Sequence, residues 1–218
     1  DGVMIKKFQL KKMKRREFLN TSMRSGFVML GFHNLRLYDN EEIFETKKNK
    51  DIKVSIQQIT LGPKHHFFGY IGQSLTTPWD STGTRILALR TTFRDHLPGA
   101  NEPADVAIVN LKKKENDYYK VEKLDESLGW NVQQGTMFYW NPDRPSSQFF
   151  FNDRDKQTGK VFTVLYDINK RKRVHEYRYD DTPVGNGGVC PVGGSFLAIN
   201  YARMARLRPV TGYRDATD

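Results

Sequence analysis

At 218 residues, with 38% hydrophobic and 12% aromatic residues, the chain is long enough to bury a sizeable core, which excludes disorder throughout. Its single cysteine, Cys190, excludes an internal disulfide framework and a cysteine-based zinc cluster. The formal net charge of +10 invites a polyanion, but residues 1–50 hold 12 Lys/Arg against 6 Asp/Glu and so carry most of the surplus, which speaks against a nucleic-acid partner for the body.

In chain order, the first feature is Lys14-Arg15-Arg16-Glu17-Phe18-Leu19, followed by an apolar run at 26–32. Paired arginines ahead of a short hydrophobic segment resemble a twin-arginine export signal, so a periplasmic or secreted location is the expectation for residues 1–38. A basic, partly helical arm on a cytoplasmic protein is the alternative. Met13 stands directly before the basic run and is a candidate start, which would leave residues 1–12 outside the native protein. Residues 39–53 are charged, lack a helical stripe and read as a linker. No stretch approaches the roughly 18 apolar residues of a membrane span.

From residue 54 the pattern changes to short apolar runs separated by Gly, Pro, Asn and Asp, the signature of strands. Strands are expected at 67–71, 85–93, 104–111, 118–124, 147–152, 161–168, 173–179 and 195–201. The pattern also repeats. Pro78-Trp79-Asp80 leads into ILAL and Tyr139-Trp140-Asn141-Pro142 leads into QFFF; ADVAIVNL and VFTVLYDI follow at a similar offset, and Val192-Gly193-Gly194 before SFLAINY begins a third copy. A turn, an inner strand, a longer loop and two outward strands at this period describe an all-β fold of propeller blades, WD40-like in plan, with the first two to three blades at residues 54–218. Blades left open would expose their faces, so the expectation is a piece of a longer propeller. An immunoglobulin-like sandwich is the competing all-β arrangement.

The stretches HHFFGYIGQSLTTPWDSTGTRILAL, WNVQQGTMFYWNP, FFFNDRD and INYARMARLRPVTGY, spanning about residues 62–213, resemble the successive motifs of a group of uncharacterised bacterial propeller-like proteins, and more distantly TolB-type and oligogalacturonate-lyase-type propellers. Where that group reads Gly-Tyr-Tyr-Asp-Lys, this chain has Gly69-Tyr70-Ile71-Gly72-Gln73, without the acidic and the basic residue. The resemblance implies the fold; the lyases would add a metal held largely by histidines.

In a propeller, loops flanking the innermost strands gather around the axis, so polar residues at those strand ends can converge. That places His66, Gln134, Asn152, Asp153, Arg154, Asn200 and Arg203 on a candidate ligand-binding face, with Tyr139, Trp140 or Tyr201 as stacking surfaces. The competing roles are structural: Asn and Asp cap turns, Gln satisfies buried peptide groups, and the aromatics fill core. No HxH or HExxH spacing appears, no metal site is expected, and a divalent cation enters only with the enzyme reading. Asp153 to Gly159 fails as a calcium loop, and Lys170 to Arg173 reads as a solvated hairpin tip. The expected function is binding of a polar ligand, such as an oligosaccharide, at the axial face; a metal-assisted polysaccharide lyase or hydrolase and a protein-interaction scaffold are the rivals.

Overall fold

A computed structural model describes residues 55–69 and 76–218. The export-signal and linker segments, 1–38 and 39–53, lie outside the described residues, as do Tyr70, Ile71, Gly72 and Gln73. Two antiparallel meanders of four strands follow one another. The first runs β1 (His65–Phe67), β2 (Arg85–Thr91), β3 (Ala104–Glu115) and β4 (Tyr118–Ser127), each paired with the next. The second runs β5 (Tyr139–Trp140), β6 (Gln148–Arg154), β7 (Val161–Asp167) and β8 (Lys172–Tyr177) in the same order. A hairpin of β9 (Gly185–Val189) and β10 (Phe196–Ile199) starts a third sheet, and the helix α1 (Tyr201–Leu207) follows it. None of the three sheets closes on itself.

Side-chain alternation explains how the sheets stack. Leu87 and Leu89 of β2, Val106 of β3, Phe149 and Phe151 of β6, and Phe162, Val164 and Tyr166 of β7 share one core between the first two sheets. The intervening Phe150 and Val161 point the other way, into a second core with Met137, Tyr139, Tyr201 and Tyr213. Sheet 2 is therefore apolar on both faces, which is why β6 reads FFF without polar alternation and is buried over all seven residues. The β3–β4 turn uses Asn116 and Asp117, both at positive φ (51° and 69°), as a tight hairpin of this twist requires.

The repeated turns meet in space. Asp80, after Trp79, accepts hydrogen bonds from the Thr84 and Arg85 amides and from Arg85 Nε, closing the turn into β2. Asn141, after Trp140, does the equivalent work for β6 by bonding the Asp143 amide and the Gln148 side chain. Trp140 Nε1 reaches the Pro78 carbonyl at 3.2 Å and the Ser81 amide reaches that of Pro145 at 3.1 Å, so the two copies fasten one sheet to the next.

Three expectations change. The strand expected at 67–71 begins earlier and occupies His65–Phe67. The strand expected at 195–201 ends at Ile199, because Asn200 caps a helix whose Ala, Met, Arg and Leu residues favour that state. The strands β5 and β9 are additional, and pair with β6 and β10 as the repeat requires.

Candidate functional site

The expected binding residues do not converge on one point. Asn152 lies inside β6 rather than at its end and is fully buried. Its Nδ2 donates to the Asn186 carbonyl (3.0 Å) and to the Tyr213 hydroxyl (3.1 Å), and its Oδ1 accepts from the Asn186 amide (2.7 Å). It is an inter-sheet clasp with its hydrogen-bonding capacity used. Asn200 accepts from the Arg203 amide at 2.9 Å and also bonds Asp218, while the Arg203 guanidinium is exposed beside the same carboxylate. Tyr139 and Tyr201 are buried in the second core and offer no open stacking face.

Asp153 and Arg154 face a pocket of about 590 Å³, yet both are engaged by the protein. Asp153 Oδ1 accepts from the Leu128 and Arg154 amides, both at 2.8 Å, and its Oδ2 meets Arg173 at 2.8 Å. Burial pushes its carboxyl pKa up, against the opposing pull of the Leu128 amide and of Arg173. Arg154 donates to the Asp215 carbonyl at 2.6 Å and to the Ala100 carbonyl. Arg173 joins Asp125, Glu176 and Asp153, and Arg178 pairs with Asp155 and Glu176. Arg173 and Arg178 thus bind four of the carboxylates at and around this pocket, which marks a structural ion network.

A different pocket, of about 410 Å³, opens at β1 and the loop before β5. It is lined by His65, His66, Arg94 and Gln133 over a floor that includes Phe67 and Phe68, and among the described residues none in the lining is acidic. Arg94 is exposed and has no carboxylate partner among the described residues. His66 is half-buried, and burial, followed by the charges of Arg90, His65 and Lys64, lowers its pKa from 6.5, so its ring is neutral at pH 7. Gly69 lets the wall form. It sits at φ +107° and a Cβ there would overlap the Gln134 carbonyl, so β1 and the 131–135 loop touch backbone to backbone. The buried Gln134 Oε1 meets no donor among the described residues.

Asn131 holds that loop in place. Its Oδ1 accepts from the Gln133 and Gln134 amides at 3.0 and 2.6 Å, and its Nδ2 donates to the Thr211 and Gly212 carbonyls. The Gln133 side chain, part of the pocket lining, accepts from the Thr211 hydroxyl at 3.1 Å. Sequence reasoning missed Asn131, Arg94 and Arg173. Of these only Asn131 carried a local signal, as an Asn two residues before a Gln-Gln-Gly turn.

Below the pocket, Asp105 gathers Lys64 (2.7 Å), Arg90 (2.8 Å) and Lys123 (3.1 Å). Burial would raise this carboxyl, but the three cations outweigh it and hold the pKa at about 2. A depressed folded value stabilises the fold above the unfolded value of 3.8 and is lost as pH falls from there to about 2. We expect wild type to lose about 2 kcal/mol through this group over that window, on the order of 1.4 kcal/mol per unit. Urea titrations at pH 5 and pH 2.5 check this: Asp105→Asn should be less stable at pH 5 and lose less on acidification, and equal acid losses would contradict the assignment.

The lyases named by the resemblance hold a metal, and the residues here do not fit one. Among the described residues, no three His, Cys, Asp or Glu side chains come together as a metal ion would need. Compared with known proteins, the chain matches no family model, no curated protein and no solved structure.

Proposed function

We propose that the three stacked sheets are successive blades of a propeller-like arrangement, and that its axial end binds an acidic polar ligand, an acidic saccharide in particular, in the pocket beside β1. The fold reading draws on two like meanders joined through like turns, with a hairpin beginning the pattern again. In such an arrangement the first strand of each sheet lies nearest the axis; with β1 and β5 ahead of them, the ILAL and QFFF strands pass that place on, and β1 and the 131–135 loop would lie at the axial face.

One observation carries the ligand class: among the described residues the pocket is lined by the Arg94 guanidinium and the His65 and His66 rings and by no carboxylate, so a ligand carboxylate or sulfate would meet one fixed cation flanked by two imidazoles. The Gln133 amide at the rim suits a sugar hydroxyl. Its volume lies within the roughly 300–1,000 Å³ usual for small-ligand sites. The export expectation for the twin-arginine-like segment is kept with this reading, since an exported protein meets extracellular polysaccharide. A lyase is the second reading, favoured by His66 with its lowered pKa beside Arg94: the ring would take the proton α to a uronate carboxylate, the freed electron pair would form a double bond and expel the glycosidic oxygen at the β carbon, and that oxygen would take a proton from water, while Arg94 offsets the carboxylate charge.

The test follows the His66 ring by NMR across pH 4.5 to 8, with and without trigalacturonate. Because its folded pKa lies below 6.5, His66 resists protonation and stability falls as pH drops through that window. A bound anion reverses the sign, so the ring pKa is expected to rise with ligand and affinity to increase on acidification. An unchanged titration at saturating ligand, or none of this sensitivity to Arg94→Ala, would remove the assignment.

A further inference from the structure

A cleft of about 670 Å³ lies elsewhere, between sheet 2 and the β9–β10 hairpin. Its wall is aromatic. Phe150, Tyr177 and Phe196 contact one another with ring centroids 5.1 to 6.3 Å apart, the Tyr177–Phe196 pair nearly perpendicular at 80°. Tyr179 continues the wall and is 65% exposed. Two carboxylates, Asp143 and Asp181, belong to the lining, and among the described residues no basic one does. Neither carboxylate forms an ion pair among the described residues, although the chain as a whole carries a net charge of +10.

Asp143 lies against the turn between β9 and β10. Gly193, at φ +80° in the β9–β10 turn, lies so close that a Cβ would overlap the Asp143 carboxylate. The turn itself is fixed by hydrogen bonds from the Cys190 amide to the Ser195 carbonyl and from the Gly193 amide to the Cys190 carbonyl, both 2.9 Å. A carboxylate thus lies at the mouth of an aromatic cleft.

We propose that this cleft binds a peptide segment presenting an arginine or lysine between apolar residues. The cationic head would sit between Asp143 and Asp181, and the apolar neighbours and side-chain stem would lie along Tyr177, Tyr179 and Phe196. The complementarity is of two kinds. Aromatic faces attract a cation and also cover its methylene stem, and the two carboxylates lining the cleft, neither in an ion pair among the described residues, match the charge of a guanidinium. An anionic ligand is disfavoured by the same two charges, so this site and the β1 pocket select opposite classes.

The experiment uses the whole protein and a capped pentapeptide with leucine, arginine and phenylalanine at its centre, alongside its citrulline counterpart, which keeps the shape and removes the charge. Calorimetry at low salt is expected to show binding of the arginine peptide, weakened at least tenfold in the citrulline peptide and again by raised salt. The double variant Asp143→Asn with Asp181→Asn should lose at least tenfold, and Tyr179→Ala several-fold; all three side chains are exposed, so folding is kept and is checked by circular dichroism. Arg94→Ala should leave peptide binding unchanged, which separates this proposal from the β1 pocket. Absence of arginine-peptide binding at millimolar concentration, equal binding of the citrulline peptide, or wild-type affinity in the double variant would each overturn it, as would competition of trigalacturonate for the same cleft.

Discussion

Arg173→Met is expected to destabilise the protein by about 3–5 kcal/mol at pH 7, the range seen when one partner of a buried ion pair is removed. Methionine keeps the stem over Phe151 and Phe162, whose rings lie 5.6 and 6.0 Å from the guanidinium carbon, so the loss is chiefly one of charge. What remains is the Asp153 carboxylate, with a side chain only 11% exposed, held by two amides but no cation. Asp125 and Glu176 lose the same partner nearer the surface, where water compensates. The pH dependence distinguishes this cause from simple loss of packing. Burial already raises the folded pKa of Asp153, and without Arg173 it rises further. The native variant then takes up a proton that the unfolded chain does not, so the deficit shrinks as pH falls through the raised value towards 3.8. Adding Asp153→Asn to Arg173→Met should recover much of the stability at pH 7. A deficit below about 1 kcal/mol, or one that stays constant from pH 7 to pH 4.5, would show that the network is not needed.

Phe149→Ala is expected to cost a similar 3–5 kcal/mol, from lost transfer energy and the cavity left behind. Phe149 has no exposed surface and sits among Phe138, Trp140, Phe151 and Tyr166, with ring centroids 5.4 to 6.0 Å away. It belongs to the core that the first two sheets share, with Leu87, Leu89 and Val106 of the first sheet. For a body of this size the fall in Tm should be on the order of 10 °C. Trp79→Ala is the control, because Trp79 occupies the position in the first repeat that Trp140 holds in the second, but is 48% exposed. Its loss should stay near about 0.5 kcal/mol. Comparable losses at both positions would mean that the core between the sheets is not where stability lies.

The strands were readable because their composition and alternation are local. FFF within β6 and VFTVLYD in β7 announce a sheet buried on both faces, and the Trp-Asp and Trp-Asn turns announce its repetition. The helix was readable in part: Asn200 ahead of Ala, Met and Arg is a capping signal, overridden by the apolar run SFLAI before it. The candidate site was much less so. Asn152, Asp153 and Arg154 are consecutive in a strand, and alternation already sends Asn152 to the face opposite Asp153, so the three cannot share one ligand. Arg173 was hidden because it ends a basic run that looks solvated, while its partners Asp125 and Asp153 lie 48 and 20 residues away in sequence. Of the expected binding residues, His66 lines the β1 pocket, and the cation beside it, Arg94, carries no motif at all.

The most direct test of the proposed function is the affinity of the protein for trigalacturonate against its carboxyl-reduced, neutral counterpart, measured by calorimetry at pH 6 and low salt. The account predicts that the acidic trimer binds, that the neutral one binds at least tenfold more weakly, and that Arg94→Ala and His66→Ala each lower affinity for the acidic trimer while Asp153→Asn does not. Equal binding of the two trimers, or an acidic trimer whose binding is unaffected by Arg94→Ala and His66→Ala, would contradict an acid-binding site beside β1.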